Sequence, residues 1–338
     1  MPKSRQFFST QKVQAELDRY SGILQNVRSE LNRIELESQA LKCQTKPSQK
    51  TISTIHHLSA CGGTIISKCL AAQPNVILLS EVHPLNLGKV RFNPFDPIQQ
   101  FLVNYSKTIE KSLEKRQEIF LDRIHYIQKQ CELYGKQLVL RDHSHSDFLR
   151  AESRDSLPLL DSLKKDYRTN SVITLRSPID AFLSMKKRNW TRGVKTFDEY
   201  CRRILLFVEA YEPCPVFHYE DFVLEPQKTI ENICNALYLQ YDANFMNHFH
   251  KIKLTGDSGR SSRNTQIAPQ LTREFDENFR QEVLDSSYYK RLCQKFGYEQ
   301  DPAIHAIKRA NLVAYINNKK VEDSSFLGWC RQITNKYK

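Results

Sequence analysis

Two adjacent glycines sit in "SACGGT", residues 59–64 of a 338-residue chain that has only 10 glycines. The stretch "TISTIHHL" before them is rich in β-branched residues, and "IISKCLAA" after them is apolar and helix-compatible. A strand–loop–helix is predicted. Glycine lets the backbone turn sharply and lets a ligand approach the main chain closely. The amides of a new helix then face the bend with the positive end of the dipole behind them. That arrangement suits an anion, phosphate above all; the plain alternative is an ordinary tight connection. The loop fits neither G-x-x-x-x-G-K-[ST] nor G-x-G-x-x-G.

Three more groups have types and spacings that suit chemistry. In "VITLRSPIDAFLSMKKRNW", Arg176 ends a predicted strand and Ser184 lies eight residues on, along the next helix. A guanidinium fork and a hydroxyl placed so can share one phosphate. In "LVLRDHSHSDF", Arg141, His143 and His145 stand at another strand's carboxyl end, with Arg141 and His143 alternating onto one face. Glu81 ends a third strand in "LLSEVHP". A general base contributes about 10²–10⁴-fold. Histidine reaches the required pKa without burial, whereas Glu81 needs a dry pocket. Both remain open as the base. His143 and His145 also suit a metal as a pair, but no third Cys or His lies near them in sequence, so no metal is expected. The pairs His56/His57 and His248/His250 read as structural.

The elements that must hold these residues alternate. Strands are predicted at 51–58, 76–81, 137–141, 171–176 and 215–219. Helices are predicted after Thr64 and over 98–134, 178–190, 197–210 and 226–237, with Pro178 and Pro226 in first turns. This calls for an α/β fold, a mostly parallel sheet with helices on both faces. In such sheets ligands sit outside the carboxyl ends of the strands, where the Gly-Gly loop falls.

Upstream, Val13, Leu17, Tyr20, Leu24, Val27, Leu31, Ile34 and Leu41 keep a four–three spacing broken only at Ser38, the pattern of a coiled coil, with a single helix packed on the body of its own chain as the competing reading. Gly22 inside it weakens an isolated helix by about 1 kcal/mol, so a partner is expected, and a homodimer is the simplest one. The polar "CQTKPSQK" (43–50) reads as a linker. The expected organisation is an N-terminal helix and linker over 1–48, a catalytic domain over 49–300 and a basic tail or helix over 301–338.

Composition narrows the classes. The formal charge of +12 suits a polyanionic small molecule, a nucleic acid or an anionic surface. Neither zinc-finger spacing nor an aromatic RNA-binding signature accompanies it, so no nucleic acid is expected. The nine cysteines include no C-x-x-C pair, which argues against a disulfide framework or a zinc site. No apolar run is long enough to span a membrane, and no signal-peptide core precedes the fold; a reduced cytoplasm is the expected compartment.

Four segments, taken together and in this order, resemble the sulfotransferase family. Residues 51–84 are similar to its 5'-phosphosulfate-binding strand–loop–helix, and Arg176 with Ser184 to its 3'-phosphate motif. "HYEDFVLEPQKTIENICNALYL" (218–239) is similar to its Tyr-Glu-Asp strand and helix, and "LTGDSGRSS" (254–262) to its late glycine-rich loop. The resemblance covers about residues 51 to 263. It implies a P-loop-like sulfotransferase fold, 3'-phosphoadenosine-5'-phosphosulfate as sulfate donor, and sulfuryl transfer to an acceptor hydroxyl or amine without a metal. Carried over, Cys61, Gly62, Gly63, Thr64 and Ile65 would cradle the phosphosulfate. Arg176 and Ser184 would hold the 3'-phosphate, Tyr219 would lie near the adenine, and Gly259, Arg260 and Ser261 would complete the site. The base would be His143 as in cytosolic small-molecule enzymes, or Glu81 as in tyrosylprotein enzymes.

One departure stands out. The family places Lys or Arg two residues before the first loop glycine, where this chain has Ala60. Preorganised charge of that kind is worth about 3–4 kcal/mol. Arg141 is expected to replace it ahead of Lys68. The alternatives are a magnesium-dependent small-molecule kinase and an inactive coiled-coil adaptor. The sequence does not distinguish sugar, phenol, lipid or protein tyrosine as acceptor.

Overall fold

The computed structural model describes residues 20–31, 33, 50–85, 113–150, 156–255 and 267–319. The chain divides into two compact units, Met1–Lys50 and Thr51–Lys338. Strands β1 (Lys50–His57), β2 (Val76–Val82), β3 (Gln137–Asp142), β4 (Tyr167–Leu175) and β5 (Val216–His218) form one sheet in the order β2-β3-β1-β4-β5. The β1–β3, β2–β3 and β4–β5 pairings are parallel. Between them come helices α1 (Gly63–Ala71), α2 (Leu113–Leu133), α3 (His145–Phe148), α4 (Pro158–Leu163), α5 (Pro178–Lys186) and α6 (Phe197–Ala210). After β5 follow α7 (Tyr219–Leu224), α8 (Pro226–Ala236), α9 (Glu277–Asp285), α10 (Ser287–Phe296) and α11 (Pro302–Lys319).

Strand side chains alternate between two covered faces. Ile55, Val139 and Val172 pack with Ile66 and Leu70 of α1 and Ile230 and Ile233 of α8. Their neighbours point the other way. Ile52, Leu138 and Leu140 meet α2 and α4 through Leu121, Ile124, Leu159 and Leu163. Ile173 and Leu175 meet Phe182 of α5 and Leu205 of α6. The chain leaves β1 toward β2 on one side of the sheet, while β4 lies on the other side. The carboxyl end of β1 is therefore the switch point where a crevice opens.

Local chemistry sets the helix limits. Thr196 caps α6 by accepting the Glu199 N–H at 3.3 Å, a Thr-x-x-Glu start. Helix α5 stops at Lys186, short of the expected 190, and Asn189 takes left-handed backbone at φ 56°. The fifth strand ends at His218, so Tyr219 opens α7 instead of ending the strand as expected. Helix α2 supplies the described part of the predicted 98–134 helix; residues 98–112 lie outside the described residues.

In the smaller unit residues 20–31 and 33 are helical. Tyr20, Leu24, Val27 and Leu31 of the four–three stripe are 59%, 68%, 51% and 59% exposed among the described residues. Val13, Leu17, Ile34 and Leu41 lie outside the described residues. No described helix is long and apolar enough to cross a membrane.

Candidate active site

The loop after β1 turns through two left-handed residues, Ala60 at φ 65° and Gly62 at φ 80°. The Cys61 N–H donates to the Leu58 carbonyl, and the Ile65 and Ile66 N–H groups donate to the Gly62 carbonyl. The amides of Gly62, Gly63 and Thr64 make no hydrogen bond among the described residues, which leaves three donors at the mouth of α1. The glycines also have a packing reason that the sequence did not reveal. A Cβ on Gly62 would collide with the Tyr219 ring, and one on Gly63 with the His57 ring. Cys61 is buried, and that burial pushes its thiol up to about 11.

Arg176 comes to this loop from β4. Its Nη1 donates to the Ala60 carbonyl at 3.2 Å, and its guanidinium lies 4.9 Å from the centre of the Tyr219 ring. Its buried Nε has no hydrogen-bond partner among the described residues. Ser184 is buried on α5. Behind Arg176 stands an ionic cluster missed by sequence reasoning, because its partners are far apart in the chain. Arg309 of α11 donates to Asp180 at 3.2 Å and to Glu220 at 3.0 Å, and His305 meets Asp180 at 3.3 Å. Burial alone would raise the Asp180 pKa, but His305, Arg176 and Arg309 outweigh it and hold the carboxyl below its usual range.

The three residues predicted to act in catalysis meet at the ends of β2 and β3. The register shifts between Ser80 and Val82, and the extra residue Glu81 takes left-handed backbone at φ 62°. Such a bulge re-aims a side chain, and strain of this kind concentrates at functional sites. Glu81 Oε1 pairs with Arg141 Nη2 at 2.6 Å, and Oε2 lies 3.3 Å from His143 Nε2. Burial raises the Glu81 pKa in spite of Arg141. Burial also lowers His143 to about 4 and His145 to about 3. His145 adds a third donor to the cluster, its Nδ1 4.0 Å from Glu81 Oε2. The Ser80 hydroxyl donates to the Thr255 carbonyl at 2.9 Å, so the start of the late loop reaches this corner. Gly259, Arg260 and Ser261 lie outside the described residues.

Arg141 is linked to the loop through one intermediary. Its Nε–H donates to His57 Nε2 at 2.9 Å, its Nη1 donates to Ser80 Oγ at 2.9 Å, and the His57 ring is the one Gly63 packs on. Lys68 is buried. Accepting from a guanidinium fixes His57 as the neutral Nδ1–H form. Burial, then Arg141, pulls its pKa well below the ordinary value. The unfolded chain therefore takes up this proton first, at a pKa of about 6.5. Stability is complete above that pH and falls below it, by up to about 1.4 kcal/mol per unit for each such histidine. The urea midpoint is expected to drop between pH 7 and pH 5.5, and His57→Gln is expected to flatten the drop. A midpoint that rises on acidification overturns the neutral assignment.

These features define a class. The sheet, the loop at its switch point and the flanking helices form the sulfotransferase fold. The sulfotransferase domain of the olefin synthase from Synechococcus PCC 7002 matches with TM-score 0.50 at 18% identity, covering 76% of this chain and 98% of that domain. The sulfotransferase domain from the curacin biosynthetic pathway matches with TM-score 0.44 at 15% identity, covering 74% and 98%. A mouse sulfotransferase complexed with PAP matches with TM-score 0.41 at 13% identity, covering 74% and 90%. No protein-family model and no curated protein matches the chain.

Proposed function

We propose that this protein is a sulfotransferase, moving a sulfuryl group from 3'-phosphoadenosine-5'-phosphosulfate to an acceptor hydroxyl or amine. The observation that carries the reading is the convergence of Arg176 and Tyr219 on a loop with three unused amides. Cys61 to Ile65 take the phosphosulfate, Arg176 and Ser184 the 3'-phosphate, and Gly259, Arg260 and Ser261 close the nucleotide site. Tyr219 lies near the adenine. Arg141 steadies Glu81 and, through His57, the floor of the loop. The described cysteines are all free thiols, which supports a reducing, cytoplasmic setting. Acceptors of small-molecule or polymer type both remain within this reading.

Calorimetry with adenosine 3',5'-bisphosphate and with magnesium ATP tests it. The bisphosphate is expected to bind, and Arg176→Ala is expected to weaken it by about 1.5–3 kcal/mol while barely changing the analogue without the 3'-phosphate. Binding of magnesium ATP alone points to a kinase, and binding of neither nucleotide points to an adaptor.

The exposed stripe supports a homodimer, because an apolar seam on a lone helix is marginal in water. Light scattering is expected to show a dimer for the full chain and a monomer for a version starting near Ser48. A dimer that survives the truncation moves the interface elsewhere.

A further inference from the structure

The corner formed by β2 and β3 holds two imidazoles and one carboxylate around a common point. His143 Nε2 and His145 Nδ1 lie 3.3 and 4.0 Å from Glu81 Oε2, and all three atoms are within 4.8 Å of one another. The two rings stand edge to face, 3.9 Å apart. Glu81 Oε2 is buried and has no hydrogen-bond partner among the described residues, although Oε1 is held by Arg141. The side chains of Glu81, His143 and His145 are 14%, 24% and 32% exposed, enough for an ion to enter from solvent.

We infer that Glu81, His143 and His145 form a binding site for a borderline divalent transition metal ion of the zinc class. Two imidazole nitrogens and one carboxylate oxygen are the donor set of three-ligand zinc sites that keep a fourth position open. Tetrahedral bonds of about 2.0–2.1 Å put ligand atoms about 3.3 Å apart, which the Glu81–His143 distance already meets. The His145 contact, at 4.0 Å, has to shorten for all three atoms to reach one ion. Arg141 orients the ligating carboxylate through its other oxygen, as outer partners of metal ligands do. Its charge and that of Arg150 oppose a cation, whereas Asp142 beside them favours one. Nitrogen donors select zinc or cobalt over magnesium and calcium, which prefer oxygen. An ion here occupies both candidate bases, Glu81 and His143, so zinc is expected to inhibit sulfuryl transfer.

The site shares Glu81 and His143 with the sulfuryl-transfer reading but does not depend on it, and its test uses neither nucleotide nor acceptor. The full chain, stripped with a chelator, is titrated with Co²⁺ and followed by visible absorption, then with Zn²⁺ by calorimetry. The expected result is one Co²⁺ with four-coordinate d–d bands, displaced by Zn²⁺ and indifferent to magnesium. His145→Ala, and separately Glu81→Gln, are expected to lower Zn²⁺ affinity at least tenfold, with unfolding curves recorded to show that each variant folds. Unchanged affinity in both variants, or a near-ultraviolet thiolate-to-cobalt band, places the metal on cysteines elsewhere and overturns the inference. Absence of any Co²⁺ binding overturns it as well.

Discussion

Gly63→Ala is expected to destabilise the larger unit by about 3 kcal/mol, the upper end of what overpacking a filled site costs. The new methyl group meets the His57 ring, and that ring has nowhere to go. It is buried and accepts a hydrogen bond from Arg141, which is itself tied to Ser80 and Glu81. Gly62→Ala adds backbone strain at φ 80° to a collision with Tyr219 and should be at least as severe. Gly135→Ala is the control. It has a similar φ of 62° but open space around it, so only the left-handed strain of about 1–2 kcal/mol applies. Urea unfolding of the three variants decides the matter. If Gly63→Ala loses no more stability than Gly135→Ala, the His57 ring is free to swing and does not brace the loop.

Glu81→Gln is expected to lower sulfuryl transfer by about 10²–10⁴-fold, the contribution of a positioned general base. Affinity for adenosine 3',5'-bisphosphate should stay unchanged, because Glu81 sits on β2 and not in the nucleotide loop. His143→Ala is expected to cost less. A histidine held at about 4 is a weak base near neutral pH, whereas burial moves Glu81 toward the useful range. Transfer is measured as release of the bisphosphate from the sulfate donor, with phenols, sterols and sugars as acceptors. A larger loss in His143→Ala than in Glu81→Gln reverses the roles. Wild-type turnover in both variants removes the base from this corner altogether.

The framework of the larger unit was legible because it rests on local signals. Alternation of strands and helices, proline in the first turns of α5 and α8 and the Thr196 start of α6 all lie within a few neighbouring residues. Glu81, Arg141 and His143 were each visible as polar residues at strand ends. That the rival bases touch one another was not, because it depends on a one-residue register shift between β2 and β3. The reason for the glycine pair was hidden for the same kind of cause. It lies in rings on β1 and at the start of α7, brought together only by sheet order. Arg309 left no trace at all, since nothing near it in the sequence marks a basic residue destined for a buried ion pair.

That arginine has a consequence for how the protein is made. Synthesis runs from the amino end, and Arg309 follows Asp180 by 129 residues and Glu220 by 89. A nascent chain can assemble β1 to β5, with the loop and Arg176 in place, while buried Asp180 and partly buried Glu220 still lack this counter-ion. A buried charge without its partner is unfavourable by several kcal/mol. Solvent is therefore expected to keep its hold on Asp180 and Glu220, with Arg176 the nearest cation for Asp180, until α11 has left the ribosome. The ground beneath Arg176 is the last part of the site to be finished, although Arg176 itself is translated in the middle of the chain.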